Sequence, residues 1–221
     1  MGEYTLYTIG HSNQSFEEFA NILRLQDINV IVDVRSIPAS KYTPQFNKEP
    51  LYNSLKRIGI NYLSFAEEFG ARRTDSLDQY NNVDFEKAVL TPAFQHGVER
   101  LLNGLNKGYR ISLMCSEADP LDCHRFSMVS RFFYERGMNV LHIMKEKTDG
   151  EDMQTVLHSH KDLQDKLIAE YVHKKKIPMI CPPDMFGENE VTQEQQIILA
   201  YRQKNKEIGY HQQQPDFDKY L

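Results

Sequence analysis

Apolar positions along the chain switch between a two-residue and a three-to-four-residue period, and each switch marks a change of element. Tyr4 to Ile9 is a short β-rich run that ends at Gly10-His11-Ser12-Asn13, which predicts a first strand entering a loop. Ser15 and Glu18 have capping-box spacing, and Phe16, Phe19, Ala20 and Leu23 recur at helical intervals behind them. Val30 to Arg35 is a nearly unbroken β-branched run, the pattern of a strand covered by helices on both faces. Asp33 and Arg35 then share one side of that strand at its C-terminal end. A proline-broken loop from Ser36 to Asn47 carries Ser40, Lys41, Tyr42 and Phe46, and a helix around Pro50 to Arg57 stops at Gly59.

Ile60 to Phe65 predicts a third strand, followed by a polar stretch to about Asn82 that is longer than a plain connection needs. Asp84 to Lys107 is helical in pattern, with Pro92 dividing it into two helices or kinking one, and Gly108 closing it. Tyr109 to Cys115 predicts a fourth strand, Phe126, Val129 and Phe133 a helix ended by Gly137, and Asn139 to Met144 a fifth strand. The alternation predicts an α/β three-layer sandwich with a mostly parallel sheet of about five strands and helices on both faces. The pattern breaks at Asp149-Gly150. Met153 to Lys176 reads as a helix with Leu163, Leu167, Ile168 and Tyr171 on one face, and Glu194 to Lys206 as another before a glutamine-rich tail. The expected organisation is an α/β domain over 1–150 with a helical extension over 151–221 packed on it.

Composition narrows the function classes. Forty per cent hydrophobic residues in 221 positions supports a folded core, while a net charge of −5 gives no general attraction to nucleic acid. Three cysteines, an odd number, favour reduced thiols in a cytoplasmic setting over a disulfide framework. No apolar run reaches the ~18 residues of a membrane span, and the start lacks the pattern of a signal peptide.

Chemistry concentrates in Ile111-Ser-Leu-Met-Cys115-Ser-Glu117-Ala-Asp-Pro120-Leu-Asp-Cys123-His124-Arg125-Phe126, a strand, a loop and a helix start. In a parallel sheet the C-terminal strand ends share one edge, where ligands bind. His11, Asp33, Arg35, Ser40, Arg72, Arg73, Cys115, Glu117, His124 and Arg125 all fall in or beside loops at that edge.

Thr8-Ile-Gly-His-Ser12, Val32-Asp-Val-Arg35 with Pro38 and Ser40, Phe69-Gly-Ala-Arg-Arg73, Leu113-Met-Cys-Ser-Glu117 and Cys123-His-Arg125 together resemble the prokaryotic family filed as domain of unknown function 488. The resemblance spans about residues 4 to 145. Where the family more usually has Leu-Gly-Gly-Arg-Arg, this chain has Phe-Gly-Ala-Arg-Arg. The resemblance implies the fold boundaries and the important positions, and brings no agreed activity. Asp-Val-Arg after a buried strand, with a later strand ending in cysteine, is also similar to rhodanese domains, although this chain lacks their compact glycine-rich cysteine loop.

Three readings follow from the residues. In the first, an enzyme acts on an anionic, phosphate-bearing nucleotide or nucleic-acid component. Cys115 is its nucleophile; His124, Glu117, Asp33 and His11 are its acid–base and orienting groups; Arg35, Ser40, Arg72, Arg73 and Arg125 bind the anion. In the second, Cys115, Cys123 and His124 hold zinc or iron in a metal-dependent hydrolase. In the third, arginines interleaved with Tyr42, Phe46 and Phe69 bind a nucleotide or nucleic acid without catalysis. No residue pattern names a cofactor or an oligomeric state. His142 reads as a hydrogen-bonded core residue, and His158, His160 and His173 as surface residues.

Overall fold

A computed structural model of the protein describes residues 4–147, 153–183, 185 and 189–212. Its centre is a six-stranded sheet in the order β3-β2-β4-β1-β5-β6. The strands are β1 (Thr5–Gly10), β2 (Val30–Asp33), β3 (Asn61–Ser64), β4 (Ile111–Cys115), β5 (Asn139–Lys147) and β6 (Met153–Ser159). The first five run parallel and β6 pairs antiparallel with β5. β2 and β4 are buried along their whole length, as their continuous apolar runs require.

Two apolar layers cover the sheet. On one face α1 (Phe16–Leu25) and α2 (Lys48–Arg57) bury Phe19, Ile22, Leu23, Leu51 and Leu55 against Ile31, Tyr62 and Met114. On the other face lie the short α3 (Ala66–Phe69) and α4 (Phe85–Ala88), then α5 (Pro92–Asn106), a π-helical segment Arg125–Ser130 and α6 (Arg131–Tyr134). They pack on Val30, Val32, Leu113 and Cys115. The capping box at Ser15 forms as its spacing predicts, with Glu18 bonding back to the Ser15 amide. Pro92 resolves the helix break before it into two elements. Thr91 caps the new helix through Phe94 N–H, and the proline occupies the first turn, where no donor is needed.

The helical reading of Met153 to Lys176 is corrected over its first seven residues. Met153–Ser159 pairs residue by residue with the long β5, and α7 starts at His160 with Ser159 as its cap. Each residue of β6 lies opposite one of β5, and this tertiary pairing outweighs local preference. α7 (His160–His173) and α8 (Gln193–Ile208) then join Leu121 and Phe126 in a third apolar cluster. His160, expected at the surface, is only 1 % exposed. The break read at Asp149-Gly150 and the tail beyond Gln212 lie outside the described residues.

Candidate functional site

Strand parity divides the predicted site residues between the two faces of the sheet. Val30, Val32 and Val34 join the layer of α5, so Asp33 and Arg35 turn to the layer of α1 and α2. Cys115 has the parity of Ile111 and Leu113 and faces the α5 side. The loops meet at one edge, but their reactive side chains form two groups.

The first group is closed on itself. Arg35 donates Nε and Nη2 to the two Asp33 oxygens at 2.9 and 2.6 Å, a second Nη2 bond to Phe46 C=O at 2.8 Å, and Nη1 to His11 Nε2 at 3.0 Å. Tyr62 O–H donates to Asp33 Oδ2 at 2.7 Å. Because Ser12 C=O lies 2.8 Å from His11 Nδ1 and can only accept, that nitrogen carries the proton and Nε2 receives from Arg35. Burial, with the Arg35 charge opposing protonation as well, lowers the His11 pKa to about 4. His11 also stacks on Phe46 at 4.3 Å. Tyr62 completes this group. Its placement could be anticipated only from the pairing of β3 with β2.

The second group gathers Cys115, Cys123 and His124 so that their three ligating atoms lie within 4.8 Å of one another, all buried. His124 Nε2 is 3.0 Å from Val34 C=O, which fixes the proton on Nε2 and turns the Nδ1 lone pair to the sulfurs. Nδ1 lies 3.7 Å from Cys123 Sγ and 3.9 Å from Cys115 Sγ. Arg125 N–H donates to Cys123 Sγ at 3.4 Å, so this sulfur caps the helix that follows. The Arg125 side chain is fully buried, donates to the carbonyls of Glu117 and Ala118 at 2.7 and 3.0 Å, and leaves Nε without a partner. It holds the loop after β4 in place. Arg125 also opens the π-helical segment, a rare geometry frequent at functional sites.

The loop after β1 presses on this group. His11 N–H and Ser12 N–H donate to Cys115 C=O and Ser116 C=O at 3.0 and 2.9 Å. A Cβ at Gly10 would lie 1.8 Å from Glu117 O, so only glycine fits there.

The two thiols ionise unequally. Burial is the largest influence on Cys123 and opposes its ionisation. The hydrogen bond from Cys115 and the charges of Arg125 and His124 outweigh it and hold the thiol well below its usual range. The hydrogen bond to Cys123 and then burial push Cys115 well above. Burial also opposes charge on His124, but Cys123, Glu117 and the Val34 carbonyl raise its pKa. Glu117 keeps an exposed edge, yet the protein packed about its carboxyl, and then Cys123, raise its pKa.

A cavity of about 370 Å³ reaches Cys123 and His124 and is lined also by Arg72, Glu117, Tyr210 and His211. Arg72 is exposed, and its guanidinium makes no ion pair with a described residue. Arg73, by contrast, is buried between Asp75, Thr91 Oγ1 and the carbonyls of Glu67 and Glu68. Ser40 Oγ accepts the Tyr42 and Thr43 amides and closes a turn. Of the aromatic residues read as stacking surfaces, Phe46 and Phe69 are fully buried and Tyr42 is 96 % exposed. The wall contributed by Ile208 to His211 had no counterpart in the sequence pattern, because it depends on where α8 docks.

Over residues 15–132 the chain matches the model of the family described as Domain of unknown function DUF488. Among curated proteins and among solved structures, no match was found. The matched segment carries Cys115, Glu117, Cys123, His124 and Arg125, whereas α8 and the residues after it lie outside it.

Proposed function

The chain belongs to the DUF488 family, whose matched segment contains the whole Cys/Cys/His cluster, and from this we propose that the cluster is the metal centre of a hydrolase acting on an anionic, phosphate-bearing substrate. The supporting observation is the spacing. Zinc bonds of about 2.3 Å to sulfur and about 2.05 Å to nitrogen place tetrahedral ligands about 3.6 Å apart. The Nδ1-to-sulfur distances are 3.7 and 3.9 Å, long for S–H···N hydrogen bonds and close to that edge. The imidazole is also oriented as metal ligands are, with its other nitrogen donating to a backbone carbonyl.

An ion held by Cys115, Cys123 and His124 would polarise the bond to be cleaved and acidify a water at its fourth position. Glu117, which lines the same cavity, would take the proton from that water. Two thiolates neutralise a divalent ion, so the attraction for an anion falls to Arg72 at the cavity wall and to Arg125 behind the loop.

One observation favours a second reading: the low pKa of Cys123 beside His124 and Arg125 also suits a thiolate nucleophile, with Cys115 as its proton-sharing neighbour. Elemental analysis of the purified, untagged full chain, paired with pH-dependent alkylation, separates the two. The expected result is about one zinc or iron per chain, protection of both thiols, and loss of the metal in Cys123→Ser. Metal-free protein whose Cys123 alkylates with a pKa well below ~8.5 would overturn the metal centre and support the nucleophile.

A further inference from the structure

Beside the cluster, one wall of the cavity is a piece of chain that the family match does not include. Residues 209–212 pair with 81–83: Tyr210 C=O accepts Val83 N–H at 2.9 Å, Gln212 N–H donates to Asn81 C=O at 2.9 Å, and His211 Nδ1 lies 3.0 Å from Asn82 Oδ1. The end of α8 is fixed as well, since Asn205 receives Phe85 N–H at 2.7 Å and donates to Val83 C=O at 2.8 Å. Tyr210 is therefore held by backbone on both sides while its side chain stays 38 % exposed.

Arg72 is held from the opposite direction. Its N–H donates to Ser36 Oγ at 2.8 Å, and Gly70 lets the chain approach so closely that a Cβ there would lie 2.6 Å from the same oxygen. The guanidinium sits 5.2 Å from the centre of the Tyr210 ring. The nearby acids do not neutralise it. Asp122 is paired with Lys204 at 3.1 Å, and Glu117 makes no ion pair with Arg72. A cation without a carboxylate partner, carried on a held backbone, thus lies on a half-exposed aromatic ring, at a cavity that Cys123 and His124 also line.

A guanidinium takes a phosphate in a two-point fork, and an aromatic ring stacks on a base irrespective of its identity. We propose that Arg72 and Tyr210 form the substrate-reading edge of this cavity and that the ligand is a nucleoside monophosphate. The inference rests on the reading of the cluster below as the catalytic floor. It assigns recognition of the base to a residue outside the family segment. Because the backbone under both groups is already held, the ordering cost on binding is confined to the two side chains.

Titration calorimetry on the full chain, with its metal content measured on the same sample, tests this. The probes are AMP, CMP, ribose 5-phosphate and inorganic phosphate. Both nucleotides should bind about tenfold or more tightly than ribose 5-phosphate, with little distinction between the bases. Tyr210→Ala should erase that preference, Tyr210→Phe should keep it, and Arg72→Gln should weaken every phosphate probe. The preference is a ratio within one protein, so modest destabilisation of a variant does not imitate its loss. Equal binding of ribose 5-phosphate and nucleotides, no binding of any probe, or an unchanged ratio in Tyr210→Ala would overturn the proposal. Metal-free protein that keeps a Tyr210-dependent preference would sink the metal centre and leave the clamp standing. One metal per chain without a nucleotide preference would do the reverse.

Discussion

His124 and His142 are both buried imidazoles beside the central sheet, and their surroundings use them in opposite ways. Around His142 a complete relay runs in one direction. Thr8 O–H donates to His142 Nδ1 at 2.8 Å, His142 Nε2–H to His160 Nδ1 at 3.1 Å, His160 Nε2–H to Tyr201 O at 2.8 Å, and Tyr201 O–H to Gln164 Oε1 at 3.2 Å. The last oxygen can only accept, so the direction of every proton is fixed back to Thr8. Phe126 covers the relay, its ring stacked on His160 at 4.4 Å. Burial lowers both pKa values, that of His160 to about 3, and the two rings stay neutral. Around His124 the same kind of ring presents a lone pair to two sulfurs, next to an arginine with an unpartnered Nε. Buried polar groups are normally satisfied. A satisfied chain spends its polar atoms on joining α7 and α8 to the sheet, whereas the group with atoms to spare can hold something else.

The largest effect that would sharpen this contrast is on metal content. His124→Ala should lose the bound ion almost entirely while the relay stays intact, and His160→Phe should keep full metal occupancy. Elemental analysis of the two variants reads this directly, and equal occupancy in both would erase the distinction. Stability should show the reverse order among the relay residues. His160→Phe leaves His142 Nε2–H and Tyr201 O without partners in the interior and should cost about 2–4 kcal/mol in urea unfolding.

Counted per unit of pH, the next effect is smaller. In the unfolded chain His11 and His160 bind protons near pH 6.5, but in the folded protein only near pH 4 and 3. Between those values the unfolded state holds more protons, so stability falls as pH is lowered from about 6.5, by up to about 1.4 kcal/mol per pH unit for each group. Urea titrations at several pH values between 7 and 4 check it, and the slope should be shallower in His160→Phe. A stability that is flat across this range would mean that these rings are not held neutral. The smallest change expected is in Tyr201→Phe, which removes one hydroxyl from the end of the relay and should cost about 1–2 kcal/mol without altering metal content.

Much of the layered architecture was readable along the chain because its signals are local. The five parallel strands are continuous or alternating apolar runs, and Ser15, Pro92 and Gly108 mark helix ends by their own chemistry. The sixth strand was not readable. Met153–Ser159 forms a strand by pairing with β5, a partner that lies before it in the chain and that no periodicity within the segment announces. His160 was misplaced for the same reason, since its burial depends on Phe126 and Tyr201 from distant elements.

For the site, sequence alone placed reactive residue types in loops that arrive at one edge, because in a parallel sheet every strand delivers its C-terminal loop to the same side. Tertiary structure decided how they are divided. The Asp33–Arg35–His11–Tyr62 group closes its own hydrogen bonds on the face of α1 and α2, and the Cys115–Cys123–His124 group lies buried on the other, with a cavity reaching Cys123 and His124. It also pairs Arg35 with Asp33 and Arg73 with Asp75, leaves Arg72 without an ion pair among the described residues, and makes the end of α8 a wall of the cavity. Residue type and spacing fix what a side chain is able to do. Which of those capacities is already used up depends on partners that are remote in sequence and meet only when the layers pack.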